Sequence, residues 1–173
     1  VATDVKERGL RFTISQEYID RGVTLERYNE NLKGFPIISI YYYSPTSLQL
    51  LDEIISMDSA LRTEEVAEDY TQRIWDTSRC LMEIAMVETE EYDRLTAMGA
   101  VPSSFTYYYG AEELGVNDGW TYLIVIPQLN DGQLTPEEAE EYHACREYMA
   151  TVQEKLTFIP VEMESYETLW VKA

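Results

Sequence analysis

The residues able to do chemistry in this chain are few in kind. There is one histidine, His143, and there are two cysteines, Cys80 and Cys145, set against a large surplus of acids. A Ser–His–acid or Cys–His site would have to use His143, and neither a GxSxG elbow nor a cysteine on the same helical face accompanies it. His143 is therefore expected on the surface. A zinc site would find at most three ligands among one histidine and two distant cysteines, so no metal site is expected. Cys145 falls within one apolar face and Cys80 on the flank of another, where buried and inert thiols are expected. A Cys80–Cys145 disulfide tying two helices is the alternative, of the kind found in secreted proteins. Thiolate reactivity would need a neighbouring cation, for which the sequence offers only Arg79 and Arg146.

Acidic pairs for glycoside hydrolysis are so abundant that no pair stands out, and no catalytic residue is assigned. There is no P-loop, GxGxxG or HExxH, and no cofactor is expected. What remains is aromatic. The chain has fourteen tyrosines and three tryptophans, enough for a platform on which a sugar or peptide could stack. Tyr42, Tyr122 and Trp120 lie in apolar strands, and Tyr70, Trp75 and Tyr142 on or beside apolar helix faces; these read as core. Tyr41, Tyr43, Tyr107, Tyr109 and Trp170 are left as candidates for a contact surface.

Charge narrows the partners. Thirty-two acidic against thirteen basic residues give −19, a field that repels phosphate backbones and anionic membranes, so nucleic acid is excluded as a partner. The acids are spread over several segments and read as solvated faces; no calcium loop with alternating Asp or Asn ligands is present. No apolar run approaches the ~20 residues a membrane helix needs, and direct membrane insertion of this domain is not expected.

The elements that must carry these residues follow from pattern. Residues 1–8 are polar and read as a frayed lead-in. Residues 9–14 alternate as a strand, Ser15 opens a short helix ending near Gly22, and 23–28 form a second strand. Residues 35–43 are a stronger strand. Ser44 caps a helix over 48–57, and Thr63 caps a long helix expected over 63–87. A short helix over 90–98 precedes a β region over 105–116. Asn117-Asp118-Gly119 marks a hairpin turn. The strongest strand signal, 119–127, is apolar on both faces and is expected at the centre of the sheet. Thr135-Pro136-Glu137-Glu138 is a capping box opening a helix to Lys155, with a closing strand over 156–161. Interspersed helices and strands with a hairpin predict one α+β domain over 1–173: a mainly antiparallel sheet of about five strands with helices on both faces.

The opening Gly9-Leu10-Arg11-Phe12, the Gly119-Trp120-Thr121-Tyr122-Leu123 strand, and a last helix running into Leu156-Thr157-Phe158-Ile159-Pro160-Val161 carry a resemblance. In their order these resemble the domain that precedes a thioredoxin-like (TlpA/redoxin) domain in secreted lipoproteins of Gram-positive gut bacteria. The layout is also similar to the PsbP-like α/β/α sandwich. The resemblance implies an extracytoplasmic location, secreted or anchored to the cell envelope, and a non-catalytic accessory or interaction role toward a protein partner or adjacent domain. Redoxin chemistry would belong to a CxxC that this chain lacks, so no redox role passes to its residues. The start at Val1 and the run into Ala173 fit a domain excised from a longer protein. A stand-alone binder of small ligands or glycans using exposed tyrosines is the alternative, and a carboxylate-pair hydrolase the second.

Overall fold

A computed structural model describes residues 1–163. It opens with two strands, β1 (Ala2–Val5) and β2 (Leu10–Thr13), paired antiparallel with Val5 against Leu10. The first residues are thus no frayed lead-in. Val5 is fully buried and Arg8 is 5% exposed. The Arg8 guanidinium donates to the carbonyls of Ile37 (2.9 Å), Asn29 (3.0 Å) and Tyr28. A buried cation persists only when its donors are filled, and carbonyls do that here. Between the strands, Gly9 takes φ 63°. A side chain there would strike Val161 and the Tyr122 hydroxyl.

Helix α1 (Gln16–Asp20) and strands β3 (Val23–Tyr28) and β4 (Ile37–Tyr43) follow as the sequence predicts. Ser44 caps α2 (Pro45–Ser56), its Oγ accepting from the Ser47 amide at 3.1 Å. Thr63 caps α3 (Glu64–Asp76) in the same way.

The long helix expected over 63–87 is in fact two elements. The first ends at Asp76, where the Thr77 hydroxyl bonds back to the Arg73 carbonyl at 2.7 Å. From there the chain becomes β5 (Ser78–Glu88). Residues 80–87 are all buried. A strand covered on both faces shows no alternation, and its leucine, alanine and methionines are good helix formers, so the pattern alone misreads it.

After α4 (Thr89–Ala97) come β6 (Glu112–Asn117) and β7 (Trp120–Val125), joined by a turn with positive φ at Asp118 (51°) and Gly119 (80°). Both signs match the hairpin turn whose twist suits flanking strands. The β region expected from 105 begins only at Glu112. Helix α5 (Pro136–Lys155) has its capping box formed, Thr135 and Glu138 each bonding the other's amide. The closing strand shrinks to β8 (Thr157–Phe158).

The fold is α+β with two antiparallel sheets: three strands in the order β1-β2-β8 and five in the order β3-β4-β5-β7-β6. β7 is an interior strand, but the middle position belongs to β5. One face of the larger sheet carries Ile38, Ile40, Tyr42, Met82, Ile84, Met86, Tyr122 and Ile124, which pack with Phe12 of the small sheet and Tyr142, Cys145, Met149 and Val152 of α5. The opposite face is buried along β5 and β7 and opens toward β3, where Thr24 and Tyr28 are exposed. At its other end Phe105, Tyr92 of α4, Val87 and Leu123 form a second core. The remainder of that face holds the cleft.

Candidate functional site

Alternation places Tyr41 and Tyr43 of β4 and Glu26 and Tyr28 of β3 on the incompletely covered face. A register shift between Ile40 and Tyr41 sets Cys80, rather than Leu81, opposite Tyr41. Leu81 turns into the main core, fully buried. One extra residue therefore decides which side chain of β5 meets the tyrosines.

Over this sheet face lies a cleft of about 780 Å³, whose lining includes Tyr41, Trp75, Cys80, Tyr107, Tyr108 and Tyr109. An adjoining hollow of about 240 Å³ is walled by Tyr28, Tyr41, Tyr43 and Trp75. Tyr41, Trp75 and Ser78 border both.

One wall is the tyrosine loop, residues 105–110, and polar side chains fasten it from below and from the side. Glu83, 2% exposed, accepts from the Tyr107 amide at 2.8 Å and the Tyr108 amide at 3.4 Å. The Lys33 ammonium donates to the carbonyls of Thr106 (2.8 Å) and Ser103 (3.1 Å), and Asn31 donates to that of Phe105 (2.9 Å). Ser103 Oγ accepts the amides of Gly110 and Ala111, both at 3.0 Å. Phe105 anchors the start of the loop in the second core. The result holds Tyr107 (54% exposed) and Tyr109 (89%) out toward solvent on a fixed backbone.

The facing wall is residues 127–133, clamped by Arg79. Its guanidinium donates to the carbonyls of Asn130 (2.7 Å), Gly132, Asp76 (2.7 Å) and Ser78 (2.7 Å). That cation is spent on backbone carbonyls.

The titratable groups here are kept neutral or tied. Burial pushes the Cys80 thiol up to about 12, reinforced by Glu83, so it stays protonated. Burial likewise pushes Cys145 up to about 11. Both thiols are free and buried, and the helix-to-helix bridge weighed from the sequence loses its premise, because Cys80 sits on a strand. Burial also raises the Tyr41 and Tyr108 phenols, which remain neutral. Burial raises Glu83 despite the opposing Tyr107 and Tyr108 amides and the Lys33 charge.

The structure gathers Tyr41, Tyr43, Tyr107 and Tyr109 around one continuous depression. Tyr41 is itself buried and contributes an inner wall rather than a surface. Trp170 lies outside the described residues. Trp75, read as core, is 52% exposed and belongs to the cleft. It stands in the last turn of α3, one residue before the helix ends at Asp76. Tyr28 and Tyr108 were also missed; no feature of their flanks separates them from core tyrosines. His143 is exposed and pairs with Asp131 at 2.6 Å. Of the acids, Asp76 lines the cleft; Glu83 lies under the loop. Among the described residues no group of three or more His, Cys, Asp or Glu side chains could hold a metal ion, and no helix is long and apolar enough to cross a membrane.

Neither a protein-family model, nor a curated protein, nor a solved structure matches this chain.

Proposed function

We propose that this chain is a non-catalytic binding domain, and that the tyrosine-lined cleft takes a small polar ligand, free or within a glycan, by contact with ring faces. The observation that carries this is the fastening of the tyrosine loop. Glu83, Lys33, Asn31 and Ser103 all bond backbone groups of residues 103–111, which fixes Tyr107 and Tyr109 at positions where burial gives no reason to keep them. A backbone held in advance loses little freedom on binding, and stacking on the rings it presents is favourable without directional matching. Within this reading the domain serves as an extracytoplasmic accessory or interaction module, secreted or anchored to the cell envelope, beside a protein partner or adjacent domain. The resemblance to the leading domain of redoxin-type lipoproteins and the acidic surface support that placement.

Trp75 provides the test. Soluble oligosaccharides and small polar metabolites are titrated while tryptophan fluorescence is followed. A true ligand changes the emission; measured by calorimetry, its binding to Trp75→Ala is about tenfold weaker while the melting temperature is nearly unchanged, because a half-exposed ring contributes little to the core. A ligand whose affinity ignores Trp75→Ala binds elsewhere and defeats the reading.

A further inference from the structure

The smaller hollow has a chemistry of its own. At about 240 Å³ it falls below the about 300–1,000 Å³ of sites that enclose a whole small molecule, so it suits a head group whose remainder passes into the larger cleft. Its walls are rings set at an angle. Tyr28 meets Tyr41 edge to face, centroids 6.4 Å apart at 72°, and Tyr43 lies 6.0 Å from Tyr41 at 29°. Trp75 faces them from α3. Beside the rings is Glu26, whose two carboxylate oxygens accept from the Tyr28 and Tyr43 hydroxyls. Among the described residues no arginine, lysine or histidine pairs with this carboxylate; the neighbouring Arg27 pairs with Glu7 instead.

We infer that this hollow is an aromatic cage for the quaternary ammonium head group of a small, otherwise uncharged molecule. The inference rests on the binding-domain reading and names the class of ligand. A cation is attracted by ring faces, and a carboxylate bonded to the phenols makes those rings more electron-rich. The chain's charge of −19 draws cations toward it. A primary ammonium fits poorly, because it brings three donors that need acceptors. Most of the hollow's wall is ring and aliphatic carbon, from Tyr28, Tyr41, Tyr43, Ile74 and Trp75, and carbon offers an N–H no acceptor. A trimethylated nitrogen has no donor to satisfy. The remainder of the ligand should not be anionic, since Arg79 is already held by carbonyls.

The test is calorimetric titration with choline, with its neutral carbon isostere 3,3-dimethylbutan-1-ol, and with glycine betaine. Choline is expected to bind about tenfold more tightly than the isostere, the difference one or two cation–ring contacts supply, and more tightly than betaine. Glu26→Gln keeps one acceptor oxygen and puts an amide donor before the other phenol, whose hydroxyl can rotate to accept it; with the melting temperature checking that the fold is kept, choline affinity should fall about fivefold or more while the isostere is unaffected. Equal affinity for choline and the isostere, or no response to Glu26→Gln, overturns the cage. Binding of a neutral oligosaccharide that depends on Trp75, with no binding of choline, overturns the cage while the cleft reading stands. Loss of both removes the reading and the cage together.

Discussion

Glu83 tests whether the tyrosine loop is held by the groups that touch it. Its carboxylate is 2% exposed and accepts two loop amides, at 2.8 Å from Tyr107 and 3.4 Å from Tyr108. A hydrogen bond to a charged acceptor contributes about 1.5–3 kcal/mol, and a stranded buried donor costs about 1–3 kcal/mol. Since the second contact is long, Glu83→Leu should cost about 2–4 kcal/mol, mostly through the Tyr107 amide. Glu83→Gln leaves an oxygen in place and removes the charge. Burial raises this carboxyl in spite of the amides and Lys33, which means that ionisation is opposed more than the donors favour it. The glutamine variant should therefore be equal to the parent or slightly more stable near neutral pH. The sign with pH follows. With the folded-state value above the ordinary 4.5, the native chain binds the proton more tightly than the unfolded chain. Its contribution is full below 4.5 and is lost as the pH rises through the folded value. Urea unfolding of both chains from about pH 4 to about pH 7 isolates this group, because every other acid is common to the two and cancels. The gap should move in favour of Glu83→Gln as pH rises. A gap that ignores pH, or a leucine variant as stable as the glutamine variant, refutes the assignment of Glu83 as the anchor.

Two further perturbations probe the frame behind the cleft. Arg8→Met strands the carbonyls of Ile37, Tyr28 and Asn29 and should lower stability by about 3–5 kcal/mol; chemical denaturation showing a loss under about 1 kcal/mol would mean that solvent reaches them. Gly9→Ala places a Cβ 2.5 Å from Val161 Cγ2, 2.7 Å from Tyr122 Oη and 2.9 Å from Asn117 Nδ2 at a φ of +63°. Strain and overpacking together should cost about 2–4 kcal/mol, read as a fall in melting temperature by calorimetry.

Elements whose pattern and caps agree were legible. The capping box at Thr135, the caps at Ser44 and Thr63, and the Asn117–Gly119 turn each name a boundary through a local hydrogen bond or a required φ, and each is found there. Strand β1 was hidden because Thr3 and Asp4 are polar and its partner lies beyond a turn; pairing with β2 and the Arg8 staple are non-local facts. β5 was hidden by being central, since covering both faces erases the period that marks a strand. That single misreading put Cys80 beside a helix face; Trp75 is helical in either case, and the apolar face next to it made it read as core. Tyr41, Tyr43, Tyr107 and Tyr109 stood out as tyrosines whose surroundings mark them less clearly as buried. That they converge depends on the bulge opposite Tyr41 and on the loop fastened by Glu83, neither of which leaves a mark in one dimension.

The departures from local consistency fall on one side of the sheet. The face toward α5 is conventionally packed, with apolar residues at alternate positions and large rings enclosed, although the Tyr42 hydroxyl is buried without a partner. The opposite face sets a carboxylate into the apolar run of β5, leaves a tryptophan half exposed at the end of α3, and holds a triplet of tyrosines in a loop with no regular structure. A sheet selected for stability alone would fill that face with aliphatic residues and a second long helix. Here four polar side chains fasten a loop whose outermost rings bury little area, and another arginine fixes the wall opposite. Under the proposed binding role, order of that kind holds rings ready for a ligand, and the Glu26 carboxylate, bonded to two phenols and to no cation among the described residues, favours a positively charged one.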